Sequence, residues 1–190
     1  MAVGQVVDEA GSGIRPPALQ SLRRIYLVRG VVALVWAVAF ATVSGSLGAA
    51  AIALLVAYPL IDVVASGIDV RATRRTGLGS LQALNAVISL VATAGIAVAA
   101  ADDIAAVLHV FGAWALIAGA IQVVVAVKRR AVAGRQWAML VSGSLSMVAG
   151  VALNLRATAD HPTLGNLIGY ATLGAVFFIT DAIVLTRRAR

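Results

Sequence analysis

The chain has 190 residues, 61% of them apolar and only 12% charged, with a mean hydropathy of +0.97. Soluble domains run at roughly 45–50% apolar and about 25% charged, and a fold of this size cannot cover so much apolar surface with so few charges. A water-soluble enzyme and a disordered chain are excluded, and the absence of cysteine excludes a disulfide scaffold and thiol chemistry. The net charge of +7 keeps nucleic acid open as a partner until the basic residues are placed.

Residues 1–22, rich in Gly, Ala and Pro, read as a disordered cytoplasmic tail. They lack the layout of a cleaved signal, so the first span is expected to be an uncleaved anchor. A bilayer is crossed by about 20 mostly apolar residues, and six stretches qualify. They are Ile25–Val43, Leu47–Val70, Leu81–Ala100, Ile104–Val127, Trp137–Leu155 and Leu164–Thr186, followed by a basic end at 189–190. The expected fold is an all-α integral membrane protein with a transmembrane domain over 23–188. Its six helices form three hairpins, 25–70, 81–127 and 137–186.

The basic residues sort by side. Arg15, Arg23, Arg24 and Arg29 lie in the tail and at the start of span one. Arg71, Arg74 and Arg75 follow span two, Lys128, Arg129, Arg130 and Arg135 follow span four, and Arg187, Arg188 and Arg190 end the chain. Fourteen of the 15 basic residues therefore share one side, and Arg156 stands alone on the other. With connections this short the positive-inside rule applies, which predicts that both termini are cytoplasmic. The positive charges are topology signals at membrane ends. Nucleic acid drops out as a partner and the lipid bilayer replaces it.

The spans also repeat. Arg29-Gly30-Val-Val-Ala33 aligns with Asn85-Ala86-Val-Ile-Ser89 and with Ser142-Gly143-Ser-Leu-Ser146, and the series continues at Ala37, Thr93 and Gly150. In the even spans Leu55–Asp62, Gly112–Gly119 and Gly174–Asp181 take matching places. Each copy runs in, out and in again, so the repeats are parallel, and an axis along the membrane normal relates such copies. Small residues every fourth position let neighbouring backbones approach closely, which lipid otherwise gives no drive to do.

These parallel hairpins, the Arg29-Gly30 opening and the glycine-marked Gly112–Gly119 resemble the HdeD family, bacterial membrane proteins with a short repeated domain of unknown function. The likeness spans roughly residues 23 to 188. It implies a bacterial inner-membrane location and, for the best-known members, a role in acid stress.

Ionisable groups within a span are costly, about 2.5–3.5 kcal/mol on insertion scales, so each needs a partner or a cavity. Rise per residue places Arg29, Asn85, Gln122, Ser142 and Asp181 about 6–8 Å from the cytoplasmic end and Asp62 about 12 Å from it. Together with Ser66 they form an expected polar layer in the inner leaflet. Asp62, Ser66 and Asp69 share a helix face, and Pro59 just before them is expected to open the helix locally. Arg29 can pair with Asp62 or Asp181, and Asp69 with Arg71 or Arg74. Two acids and one arginine at that depth leave one carboxyl without a charged partner, which suits a proton relay or general acid. Asp62 and Asp181 are the catalytic candidates on that reading. On the opposite face His109, Asp102, Asp103, Asp160 and His161 are candidates for an external pH sensor.

No phosphate-binding loop, zinc-protease motif or nucleophile elbow is present in the sequence. No cofactor and no metal are expected. The leading expectation is a non-enzymatic membrane protein of the HdeD type, acting in envelope or acid stress. One alternative is an intramembrane enzyme on an isoprenoid or lipid, such as a membrane terpene cyclase, with Asp62 or Asp181 as general acid. The other is a proton-coupled small-solute transporter. A homo-oligomer and an apolar small-molecule ligand are the further partners expected.

Overall fold

The computed structural model describes residues 16–73, 79–133 and 137–188. They form six α-helices: α1 Pro16–Ala41, α2 Ala49–Thr73, α3 Gly79–Ala99, α4 Ile104–Ala133, α5 Trp137–Ala157 and α6 Gly165–Arg188. Among the described residues four of them, α2 to α5, are long and apolar enough to cross a bilayer. The apolar stretches of α1 and α6 are shorter, at Leu27–Ala41 and Gly165–Thr180. The chain is a multi-pass membrane protein.

Helix α1 begins at Pro16, so residues 16–22 of the expected tail are helical. Pro16 and Pro17 are compatible with the first turn of a helix. Proline in the first turn gives up N–H groups that have no intrahelical acceptor, and its fixed φ is already helical. Residues 1–15 of the expected tail, and the basic end at 189–190, lie outside the described residues.

Helix α2 passes Pro59 unbroken, and that proline is fully buried. The expected local opening of the helix is not seen, and one residue before the carbonyl that Pro59 leaves without a donor, the Leu54 carbonyl accepts Trp36 Nε1–H at 2.7 Å. At α4 the helix entry is capped, with Ala106 N–H donating to Asp103 Oδ1 at 2.7 Å.

The six helices stand in a ring in chain order, closed by α1 against α6. Packing round the ring is uneven. The close pairs are α2 with α3, α4 with α5 and α1 with α6, while α1 with α2 and α5 with α6 touch more loosely. The close pairs therefore straddle the expected hairpins rather than coincide with them. The half of the ring that carries the connections 42–48, 100–103 and 158–164 (the loop half) is solid. Phe40, Leu55, Ile96, Leu108, Phe111, Leu164 and Leu167 fill it, each essentially inaccessible. On the outer surface large aliphatic side chains such as Val98 and Leu155 are 75% and 68% exposed, as lipid-facing residues must be.

Candidate functional site

At the middle of the ring six aromatic residues close on one another. Trp36 stacks on Phe40 at 4.6 Å and meets Tyr58 at 4.5 Å, and Tyr58 and Phe111, 5.7 Å apart, each lie within 5.2–6.1 Å of Trp114 and Tyr170. They come from α1, α2, α4 and α6, and their edge-to-face contacts each add to burial. Below this layer, away from the described connections, the interior changes from apolar to polar.

There a partly enclosed chamber of about 130 Å³ opens inside the ring. Its polar lining is Arg29, Asp62, Ser66, Gln82, Asn85, Gln122 and Ser146, and its aromatic lining includes Tyr58, Trp114 and Tyr170. A smaller cavity of about 70 Å³ adjoins it between α5 and α6, sharing Tyr58, Gln122, Ser146, Tyr170 and Phe178 and adding Ser142.

Asp62 organises the chamber. Arg29 Nη2 lies 3.5 Å from its Oδ1, each side chain about a quarter exposed or less. Asn85 Nδ2–H and Ser89 Oγ–H donate to its Oδ2 at 2.7 and 2.8 Å. The second Asn85 amide hydrogen goes to Ser66 Oγ at 2.8 Å. Ser89 Oγ in turn accepts Trp114 Nε1–H at 3.0 Å. One carboxylate thus ties α1, α2, α3 and α4 together. The spacing that brings Ser66 beside Asp62, four residues along one helix, also brings Ser89 beside Asn85. One acceptor is left over: Asn85 Oδ1 is buried and no described residue donates to it.

Of the expected polar layer, the structure brings Arg29, Asp62, Ser66 and Asn85 into direct contact. Gln122 lines both cavities and donates weakly to the Met139 carbonyl at 3.4 Å. Ser142 lies apart, on the smaller cavity. The side chain of Asp181 lies outside the described residues. Of the two charged partners expected for Arg29, Asp62 lies beside it at 3.5 Å, and Arg29 also sits 5.7 Å over the Phe178 ring. Asp69 accepts from Gln82 Nε2–H at 3.1 Å. Its expected partners Arg71 and Arg74 have side chains outside the described residues.

The residues that sequence reasoning missed are Gln82, Ser89 and Trp114. Ser89 was within reach as the next residue on the Asn85 face. Trp114 carries its signal only in three dimensions, because a tryptophan in an apolar helix reads as packing until its N–H finds an acceptor.

On the loop side His109 Nδ1 lies 3.0 Å from Asn154 Oδ1, linking α4 to α5. Asp103 is the α4 cap described above, and Asp102, Asp160 and His161 are exposed. No hydrogen bond or ion pair among the described residues joins these five into one site. No group of three potential metal ligands occurs among the described residues either.

The segment 84–154, just over a third of the chain, matches the model of a short repeat of unknown function, DUF308. It runs from within α3 to within α5, and so takes in Asn85, Ser89 and Trp114 but neither Arg29 nor Asp62. No curated protein and no solved structure matches the chain.

Proposed function

We propose that this is a bacterial inner-membrane protein of the HdeD type, with six membrane spans in three parallel hairpins and both termini cytoplasmic. Its role is non-enzymatic and lies in envelope or acid stress. The observation that carries this reading is how fully Asp62 is engaged. A general acid must hold a proton to give away, whereas Asp62 accepts hydrogen bonds from Asn85 and Ser89 at Oδ2 and faces the Arg29 guanidinium at Oδ1. The filled loop half speaks the same way, since a transporter needs a path and Phe40, Leu108, Phe111 and Leu167 leave none there in this conformation. The short-repeat match over 84–154 supports the repeat. The one-sided distribution of basic residues supports the orientation.

Survival after acid challenge tests the role. A strain lacking the gene should lose viability, and the intact gene should restore it in single copy; equal survival of both strains would remove the stress role. The topology has its own test, helped by a chain with no native cysteine. Ser46→Cys and Thr158→Cys should react with an impermeant maleimide on intact cells, and Thr76→Cys only after lysis. Labelling of Thr76→Cys from outside would invert the orientation.

A further inference from the structure

The chamber holds a charge pair that is not closed. Asn85 and Ser89 both donate to Asp62 Oδ2, leaving Oδ1 to face Arg29. An arginine grips a carboxylate best through two parallel hydrogen bonds, one to each oxygen, and that grip is denied here. Arg29 Nη2 stands 3.5 Å from Oδ1. Among the described residues the guanidinium donates no hydrogen bond and Oδ1 accepts none. The other contact of Arg29 is with the Phe178 ring. A planar fork of N–H donors, suited to a carboxylate at two points, therefore stands beside a cavity with no acceptor of its own.

Access, size and charge then narrow the occupant. All six helices contribute to the chamber wall, and the filled loop half closes one end. The lining reaches Gln82 and Met139, within about one turn of the starts of α3 and α5, so the way in is from that end. Arg29 and Asp62 both line the chamber and keep 21% and 26% exposure, so the pair is reachable as well as internal. A cavity of about 150 Å³ holds one benzene ring. A chamber of about 130 Å³ therefore takes a molecule of about six non-hydrogen atoms. Among the described lining residues one positive and one negative charge balance. A lone cation or anion would leave a net charge in this low-dielectric site, whereas a molecule carrying both would not. Tyr58, Trp114 and Tyr170 add aromatic rings, whose faces attract an ammonium.

We propose that the chamber binds a small zwitterion of the amino-acid class, about the size of alanine, inserted between Arg29 and Asp62. Its carboxylate takes the Arg29 fork at two points, and its ammonium donates to Asp62 Oδ1 beside the aromatic rings. Arg29, on its long flexible stem, draws back to admit the ligand, while Asn85 and Ser89 keep Asp62 in place. Binding needs no passage through the filled loop half. It does not depend on the stress role proposed above.

Calorimetric titration of the protein in lipid nanodiscs tests it. Alanine should bind about tenfold or more tightly than ethylammonium, which lacks the carboxylate, and than propionate, which lacks the ammonium. Two variants should then exchange the preferred ligand. Arg29→Gln leaves Asp62 unbalanced and should make ethylammonium the better ligand. Asp62→Asn leaves Arg29 unbalanced and should make propionate the better one. A purely structural pair would lose stability in both variants without any such exchange. Because either variant can fail to fold, a third keeps the pair intact. Ala118→Phe narrows the chamber at a position that makes none of these side-chain hydrogen bonds, and should weaken alanine binding about fivefold or more. No binding of alanine to the wild type, equal binding of ethylammonium or propionate, or unchanged affinity in Ala118→Phe would each overturn the assignment.

Discussion

Two helix pairs in this ring solve the same packing problem in opposite ways. Between α4 and α5 the contact is glycine on glycine. A Cβ at Gly119 would lie 2.7 Å from the Gly143 carbonyl oxygen, and one at Gly150 would lie 2.6 Å from that of Gly112. Between α2 and α3 the contact is a set of hydrogen bonds, with Asp62 facing Asn85 and Ser89. The alignment of the spans in the sequence would put these in register: Asp62 falls where Gly119 stands, and Asn85, Ser89 and Thr93 fall where Ser142, Ser146 and Gly150 stand. Close backbone approach is the cheaper way to join helices in lipid, whereas an ionisable side chain at that depth is expensive. Packing alone therefore does not account for Asp62, because another helix pair in the same ring is joined through glycine.

The largest effect should come from the glycine seam. Gly150→Leu puts a branched side chain against the backbone of Gly112 and Leu116, which cannot move aside as a flexible side chain would. A loss of about 3 kcal/mol is expected, the upper end of overpacking costs, read as a large drop in unfolding temperature in detergent. A change of only a degree or two would mean that α4 and α5 are not so close.

The polar seam should respond next. Asp62→Leu strands the Asn85 amide, the Ser89 hydroxyl and the Arg29 guanidinium, and should cost about 2 kcal/mol. Arg29→Leu with Asp62→Leu should recover part of that loss, since no unpaired charge remains. Asp69→Ala, nearer the end of α2 and bonded to Gln82, should cost less than Asp62→Ala. If the double substitution is no better than Asp62→Leu alone, the pair with Arg29 contributes nothing. Trp114→Phe removes a single hydrogen bond, to Ser89, while keeping the ring, and about 1 kcal/mol is expected.

Much of this contrast was legible in the sequence, and its limits are physical. Apolar runs located all six helices, and four of them, α2 to α5, are long and apolar enough among the described residues to cross a bilayer. They did not anticipate that residues 16–22 are helical, as they are in α1. Helical depth grouped Arg29, Asp62, Ser66 and Asn85, because depth in a membrane restricts which polar groups can meet. Depth says nothing about azimuth, and so it did not separate Ser142, which faces the other cavity. The ridge Ser142-Ser146-Gly150 was visible as small residues, but its facing partners Gly112 and Gly119 were not paired with it. That pairing depends on which helices are neighbours, and the close pairs turned out to straddle the hairpins.

The smallest prediction sharpens the contrast from the other side. Gly67 on α2 has nothing within 4 Å of the position a Cβ would take, and nor has Gly169 on α6. Neither position carries the left-handed φ that would penalise a side chain. Gly67→Ala should therefore be neutral or slightly stabilising, by up to about 0.5–1 kcal/mol, because alanine loses less backbone freedom in a helix. Set beside Gly150→Leu, it separates glycines that make room for a neighbour from glycines that face lipid. A clear destabilisation by Gly67→Ala would mean that the outer face of α2 meets a partner helix, as a homo-oligomer would provide. The α2 side of the polar seam would then be braced from outside the ring as well as from within it.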